Sequence, residues 1–535
     1  DIAETPTNPL THFLGAGAGR GISPNPFFDL RWYVGCYKDV ADSGMNPLVH
    51  FIRVGAAEGR RPHPAVDLLA YRKSHPGCPQ DALGAYYHLL THESPATFFA
   101  PKAGLDWPSV QKQLRQAGLF DPDIYRSVNE DLATLTADLD EHFARVGIHE
   151  GRPFTNATAV ARVLAKNAPT LTTAQATYLT RAEQADALGH ADPTLQWFRQ
   201  RKPSIGVFCN TEGNFYMQEI ADLLADGLRH VGIPTARRDQ TAAREEPFDL
   251  RIFVAPHEFF YLGRGMAWQD AAGDANTVLY NVEQMQTQWF CRAFKLLLMA
   301  PLVIDINFQS AEILRQLGCQ SVHFLPGHLP AAPFTMPVED VSDITLAQGY
   351  GWARRPFNWM QQDALDDRPI DILFIGASSP RRDKALNALL ELTDQYRFLC
   401  VYKPTGTPLT AKNQLASSGR INCALAQRSK IVLNIYRDWL GYFDWSRIVQ
   451  MGFWQGACVV SDPGLAHPIY QPGVHFQEEP VRHLGELTRW LLETPDGRAT
   501  LDSTRRAGTA RARALGAMPV ALAPVLDRLR TLLPA

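Results

Sequence analysis

The sequence lacks paired cysteines. Its eight, Cys36, Cys78, Cys209, Cys291, Cys319, Cys400, Cys423 and Cys458, contain no C-x-x-C. Several sit in apolar runs such as RFLCVY and ACVVSD. This spacing gives neither a zinc site nor a disulfide framework, and reads as small buried side chains in a reducing compartment. A dominant charge is also missing. Lys and Arg number 52 against 55 Asp and Glu, a formal net charge of −3, so no global field recruits nucleic acid or an anionic membrane. The most apolar stretch, Leu296 to Ile306, is about half the ~20 residues a membrane helix needs. No signal peptide is legible, and the expectation is a cytoplasmic protein, with membrane attachment peripheral at most.

What is present first is a repeat. NPLTHFLGAGAGRG at Asn8 returns as NPLVHFIRVGAAEGR at Asn46, 38 residues on. A degraded copy contains His88, and a fourth, LDEHFARVGIHEGRPF, contains His142. Between these blocks a second element recurs, aligning Asp29, Asp67 and Asp121, and Tyr33, Tyr71 and Tyr125. An Asp cap followed four residues later by an aromatic predicts one short helix, and Asn-Pro to Gly predicts another. Neither buries its apolar face alone, so four stacked units predict a small α-helical array over residues 1–155 with its own core. His12, His50, His88 and His142 hold one equivalent position each, which favours a packing or capping contact over metal binding. The pattern resembles F-D-x-x-W-Y … N-P-L-x-H-Y … G-x-x-E-G-R modules attached to bacterial cell-surface glycan enzymes. The resemblance implies an accessory role such as acceptor docking, oligomerisation, or contact with a membrane surface or partner protein.

Residues 156–202 read as a helical linker. From Ser204 the texture changes to short apolar runs alternating with helical periodicity. SIGVFCN, DLRIFVAP, NTVLYNVEQ, LVIDIN and VHFLPG predict strands, with MQEIADLLADGLRHVG, RAFKLLLM and SAEILRQLG as helices. The alternation breaks over 336–368 and restarts with DILFIG, RFLCVY, KIVLNIY and ACVVSD. Continuous apolar strands between helices predict parallel sheets covered on both faces. The expected division is a first lobe at 203–335, an inter-lobe segment at 336–368 and a second lobe at 369–535. Ligands of such sheets sit at the carboxyl ends of the strands.

The stretch SKIVLNIYRDWLGYFDWSRIVQMGFWQGACVVSDPGLAHPIYQPGVHF resembles, over about 50 residues, the donor-binding region of GT-B glycosyltransferases. It is closest to the CgeB-like bacterial group related to glycosyltransferase family 4. The matching residues are Asn434, Asp444, Arg447, Gly456 and Val459-Val460-Ser461-Asp462, with YNVEQ at Tyr280 to Gln284. Family 4 enzymes carry two glutamates seven residues apart here; this chain has Asp444 near the first and Met451 at the second. The resemblance implies an α/β GT-B architecture, two doubly wound Rossmann-like domains facing a cleft. It also implies sugar transfer from a nucleotide-sugar to a glycan, lipid-linked or protein acceptor in surface glycan assembly. The missing glutamate keeps a nucleotide-binding scaffold open as an alternative, and a GT-B-fold nucleotide-sugar epimerase is another.

The leaving nucleotide phosphate needs donors fixed in advance. Gly376, Ser378, Arg381, Arg382, Lys403, Asn434, Arg437, Asp444, Arg447, Asp462 and His467 are the donor-binding candidates, with His467 expected near the donor sugar. Gly213 and Asn214, after the first strand, are acceptor-side candidates. Glu283 follows the strand TVLYNV and is placed for general-base work or, equally, for capping the next helix. His257 and Glu258 compete for the catalytic role. No D-x-D stands at a strand end, and Asp366-Asp367 falls in the inter-lobe segment, so a metal-independent reaction without a resident cofactor is expected.

Overall fold

The computed structural model describes residues 22–93 apart from 64, 65, 67, 69, 70, 73 and 74, and residues 105–133, 138–330, 368–403 and 419–534. Isolated positions 13, 14, 18, 19, 351, 352 and 365 are also described. His12, Asp67, Asp366 and Asp367 lie outside them.

Short helices follow one another from Leu30 to Glu150. Tyr33 Oη lies 3.1 Å from His50 Nδ1, Tyr71 Oη 2.9 Å from His88 Nδ1, and Tyr125 Oη 3.1 Å from His142 Nδ1. His50, His88 and His142 thus each pair with the tyrosine 17 residues before them. Two of these hydroxyls lie over glycines where the helix widens into π turns. A Cβ on Gly55 would stand 2.1 Å from Tyr33 Oη, and one on Gly147 2.1 Å from Tyr125 Oη. The E-G-R sequence closes a repeated ion-pair fork: Arg60 binds Glu58 and Asp39, and Arg152 binds Glu150 and Asp131.

A core private to the whole repeat block is not what forms. Phe28, Tyr33, Phe51, Tyr71 and Tyr86 make one cluster. Tyr125, Phe143 and Phe154 instead join Phe290, Phe294 and Leu297 of the following α/β region, with the Phe154 and Phe294 rings 4.9 Å apart.

Three helices come next, α1 (Ala157–Lys166), α2 (Ala168–Leu188) and α3 (Pro193–Arg201). The first sheet holds β1 (Ile205–Phe208), β2 (Thr235–Arg238), β3 (Leu250–Val254), β4 (Thr277–Asn281), β5 (Leu302–Asp305) and β6 (Ser321–His323). All are parallel, in the order β2-β1-β3-β4-β5-β6. β2 escapes a hydrophobicity reading because TARR is a half-buried edge strand. α4 (Phe215–His230), α5 (Gln288–Met299) and α6 (Phe308–Gln316) pack on this sheet.

The second sheet has β7 (Gly351–Trp352), β8 (Ile370–Ala377), β9 (Phe398–Lys403), β10 (Ser429–Asn434), β11 (Cys458–Ser461) and β12 (Gln477–Glu478), in the order β12-β11-β10-β8-β9-β7. It is parallel except at the edge, where β7 runs antiparallel to β9. α7 (Pro380–Ala388) follows β8, and α8 (Trp445–Phe453), a π-type helix, follows β10. The strand order reverses between β1 and β3 in one sheet and between β8 and β10 in the other, which opens a crevice at each carboxyl edge.

The expected second-lobe span 369–535 gives up its end. Helix α9 (Met518–Arg530) buries Leu522, Val525, Leu526 and Leu529 against Leu228, Val322 and Ile205, and Asp527 pairs with Arg181 of α2 at 2.7 Å. Among the described residues no helix is long and apolar enough to cross a membrane, and Cys78, Cys209, Cys291, Cys319, Cys400, Cys423 and Cys458 are buried and form no disulfide.

Candidate functional site

The first-lobe candidates converge. β3 ends at Val254, and Ala255 takes a left-handed conformation at φ 55° before Pro256 opens a short helix. That is a costly geometry for a non-glycine residue. It turns His257 and Glu258 back over the carboxyl edge of the sheet. His257 Nε2 stands 3.4 Å from Glu283 Oε1 and 3.9 Å from Glu258 Oε1. Burial drives His257 down to about 3, so the ring is neutral. With its Nδ1 buried and unpartnered, its one N–H faces the two carboxyls from Nε2.

Glu258 explains the Gly213-Asn214 turn. Its Oε2 accepts the Asn214 N–H at 2.8 Å, and a Cβ on Gly213 would meet that oxygen at 2.3 Å. Asn214 then caps α4 through the Tyr216 N–H. Gly213 is therefore filled from within by Glu258 rather than left open to a substrate.

Glu283 is not a helix cap. Thr287 caps α5, accepting the Phe290 N–H at 3.1 Å. The main chain of Glu283 is clamped by Asn281, whose Nδ2 donates to the Glu283 carbonyl at 2.9 Å, and by Asn307 Nδ2 at 3.3 Å. Asn281 is itself fixed by buried Asp305 at 2.8 Å. Asn281, Asp305 and Asn307 are positioning residues that the sequence reading did not single out, although Asn281 stands inside YNVEQ. The Glu283 side chain keeps 17 % of its surface exposed. Burial first, and then the neighbouring Glu258, raises its pKa from 4.5 to about 7, partly offset by Arg437 of the other lobe.

The second-lobe candidates also come together at the ends of β8, β10 and β11, largely bound to one another. Arg382 is buried and spends its guanidinium on the Ile435 and Ala377 carbonyls, both at 2.8 Å. It also fills the space above Gly376, where a Cβ would meet Phe374 Cζ at 2.9 Å and Arg382 Nη1 at 3.2 Å. Gly376 and Arg382, phosphate candidates by sequence, make these contacts within the loop. Arg447 binds Asn434 Oδ1 at 2.6 Å, Asp444 and the Ile375 carbonyl. Asp444 caps α8, and Met451 is core. Arg381 binds Asp462 and the Tyr436 carbonyl. Ser378 donates its N–H to the Lys403 carbonyl, and the cap of α7 is Ser379. Arg437, three residues past the end of β10, is exposed, and its positive charge pulls the Glu283 carboxyl downward.

His467 is corrected outright. It is buried in the contact between the two halves, with Nε2 3.1 Å from His323 Nε2 and its ring against Phe443 and Tyr470. A proline follows it, but the apolar wall, not the loop, decides its place.

A second contact crosses the cleft. Glu219 of α4 accepts the Gly419 N–H at 2.6 Å, and Lys403 lies 3.4 Å from Tyr216 Oη. Burial raises Glu219 to about 7 and lowers Lys403 to about 8. Glu219 was missed because an acid on an amphipathic helix looks like any solvated one. Among the described residues no three His, Cys, Asp or Glu side chains are arranged to hold a metal ion.

No protein-family model matches the sequence, and no curated protein matches it. Solved structures do. Anabaena HepE in complex with UDP and glucose is 12% identical, covering 62% of this chain and 100% of its own, at a TM-score of 0.40. An α-glucosyltransferase with UDP and a 13-mer DNA containing an HMU base is 8% identical, with 62% and 100% coverage and a TM-score of 0.38. A UDP-N-acetylglucosamine 2-epimerase is 8% identical, with 58% and 93% coverage and a TM-score of 0.29.

Proposed function

We propose that the chain is a GT-B-type glycosyltransferase that moves a sugar from a nucleotide-sugar donor to a hydroxyl acceptor. One observation carries this reading. Glu283, at the carboxyl end of β4, is a clamped and partly exposed carboxyl raised to about 7, with neutral His257 beside it and Arg437 facing it from the other lobe. A carboxylate near neutral pKa removes a proton from an attacking hydroxyl efficiently. Arg437 and the start of α7 then face the charge developing on the leaving phosphate. His257 Nε2 stands 3.4 Å from Glu283 Oε1; Glu258 ties the Gly213-Asn214 turn to the same cluster. The donor-lobe sequence resemblance and the two facing crevices support the same reading. The reaction needs no metal in this scheme, and the repeats contribute no group to it. Bacterial surface glycan assembly is the setting that the repeat resemblance supports.

The test is incubation of the purified protein with UDP-, GDP-, dTDP- and CMP-sugars, following transfer, donor hydrolysis and epimerisation. A parallel thermal-shift screen uses the free nucleotides, since a ligand at 100 times its Kd adds about 2.7 kcal/mol of stability. Absence of binding and turnover with every donor sinks the proposal. An epimerised donor without acceptor replaces it with the epimerase reading.

A further inference from the structure

A large apolar side chain is exposed beside the His257–Glu283 cluster. Trp289, in the first turn of α5, is 43% exposed, yet its ring lies 6.2 Å from that of buried His257. That histidine is itself within 3.4 Å of Glu283 and 3.9 Å of Glu258, and Arg292 acts on both His257 and Glu258. Leaving an indole in water forgoes the gain from burying one of the largest side chains. The rest of α5 buries its aromatics, Phe290 and Phe294 being fully enclosed, so an inward position was open to this helix.

We infer that Trp289 is the floor of an acceptor subsite that takes a pyranose ring, which makes the acceptor a carbohydrate. This rests on the glycosyltransferase reading. A pyranose has an apolar face of axial C–H groups and a polar rim of hydroxyls. The flat, electron-rich indole face matches the first, and the Glu283 carboxyl matches the second. A ring lying on Trp289 turns its rim toward Glu283, the exposed member of the cluster, which would bring one hydroxyl to the base. A peptide side chain or a lipid phosphate has no use for that pairing of indole with carboxylates. Phosphate in particular is repelled by Glu258 and Glu283.

The experiment has a binding arm and a kinetic arm. Methyl glucopyranoside, methyl galactopyranoside, methyl mannopyranoside, maltose and lactose are titrated by saturation-transfer NMR, with and without UDP. Saturable binding of at least one is expected, weakened about tenfold in Trp289→Ala and largely kept in Trp289→Phe; tenfold corresponds to about 1.4 kcal/mol of lost contact. In transfer assays the acceptor KM rises similarly while donor-nucleotide affinity stays put. Trp490→Ala, an exposed tryptophan on the helix Val481–Glu493 of the second lobe, should change nothing. Absence of pyranoside binding, binding indifferent to Trp289→Ala, or transfer to a Ser/Thr peptide but to no sugar overturns the inference. Pyranoside binding through Trp289 in a protein that turns over no nucleotide-sugar would instead sink the transfer reading and leave the subsite standing.

Discussion

At the scale of single residues, the weight falls on Glu283. Replacing it with Gln keeps its shape and its contact with Thr287 but removes the proton acceptor. Transfer should fall by ~10²–10⁴, the usual contribution of a positioned base, while nucleotide affinity survives in a filter or calorimetric assay. The pH dependence follows from the direction of the shift. Glu283 is raised from 4.5 to about 7, so it is protonated and idle below that range, and kcat/KM should climb as pH rises through about 7. Glu219 is raised to about 7 as well; comparing the profiles of Glu283→Gln and Glu219→Gln decides which carboxyl sets the limb. An unchanged profile in Glu283→Gln, with transfer intact, would leave the reaction without this base, as a retaining route allows. Gly213→Ala tests the same cluster from behind. The new Cβ displaces Glu258 from the Asn214 N–H, and losing a hydrogen bond to a charged group costs about 1.5–3 kcal/mol, readable as a lower urea midpoint.

At the scale of elements, the loop between β10 and α8 does two jobs. Its Leu440 and Tyr442 pack into the first lobe's cluster with Met285 and Phe290, while Arg437 stays exposed at the cleft. Two arginines that look alike in sequence should therefore behave differently. Arg447→Ala removes the partner of Asn434 and Asp444 and should destabilise the second lobe by about 1.5–3 kcal/mol. Arg437→Ala should leave the unfolding midpoint within about 0.5 kcal/mol of the parent and lower donor turnover by about tenfold or more. Equal stability loss in both variants would put Arg437 in the scaffold too. Strands β1, β3, β4, β5, β6, β8, β9, β10 and β11 were legible because they are largely enclosed and lie in apolar runs. β2, β7 and β12 were not. Each is a short edge strand whose pairing comes from a neighbour rather than from its own residues.

At the scale of the whole molecule, the two sheets are stitched together rather than hinged loosely. The cluster holding Leu228, Ile304 and Val322 of the first lobe continues through Ile448, Phe453 and Tyr470 of the second and closes on α9. His323 and His467 sit in that seam. Ile469 donates its N–H to His467 Nδ1, so His467 carries its proton on Nε2 and gives it to His323, whose Nδ1–H is left for the Asp305 carbonyl. A further proton has nowhere to go without breaking one of these bonds. Both rings are shifted down, His323 from 6.5 to about 4. Their contribution is full above pH 6.5 and is lost as pH falls toward 4. Acid should thus lower the thermal midpoint in that window, and a His467→Asn variant should flatten the slope. The shared core of the fourth repeat unit makes a separate prediction. Deleting residues 1–93 should leave a soluble, nucleotide-binding protein. Deleting 1–155 strips Phe143 and Phe154 from Phe294 and should yield aggregate; a soluble, binding-competent product would show that this packing is dispensable.

What is local or periodic can be read along the chain. Two runs of enclosed strands, the Tyr–His and E-G-R repeat, and the placing of Glu283, His257 and Glu258 at strand ends all follow from side-chain order along one chain. The pairing of charges is set by the fold. Whether Arg382, Arg447 or Arg437 faces the cleft, whether His467 meets a sugar or another histidine, and whether the repeats keep a private core depend on partners up to hundreds of residues away. A guanidinium next to a strand end has the same sequence signature whether its hydrogen bonds go to a ligand or to neighbouring carbonyls. The distinction arises only when the opposing loops arrive and satisfy it.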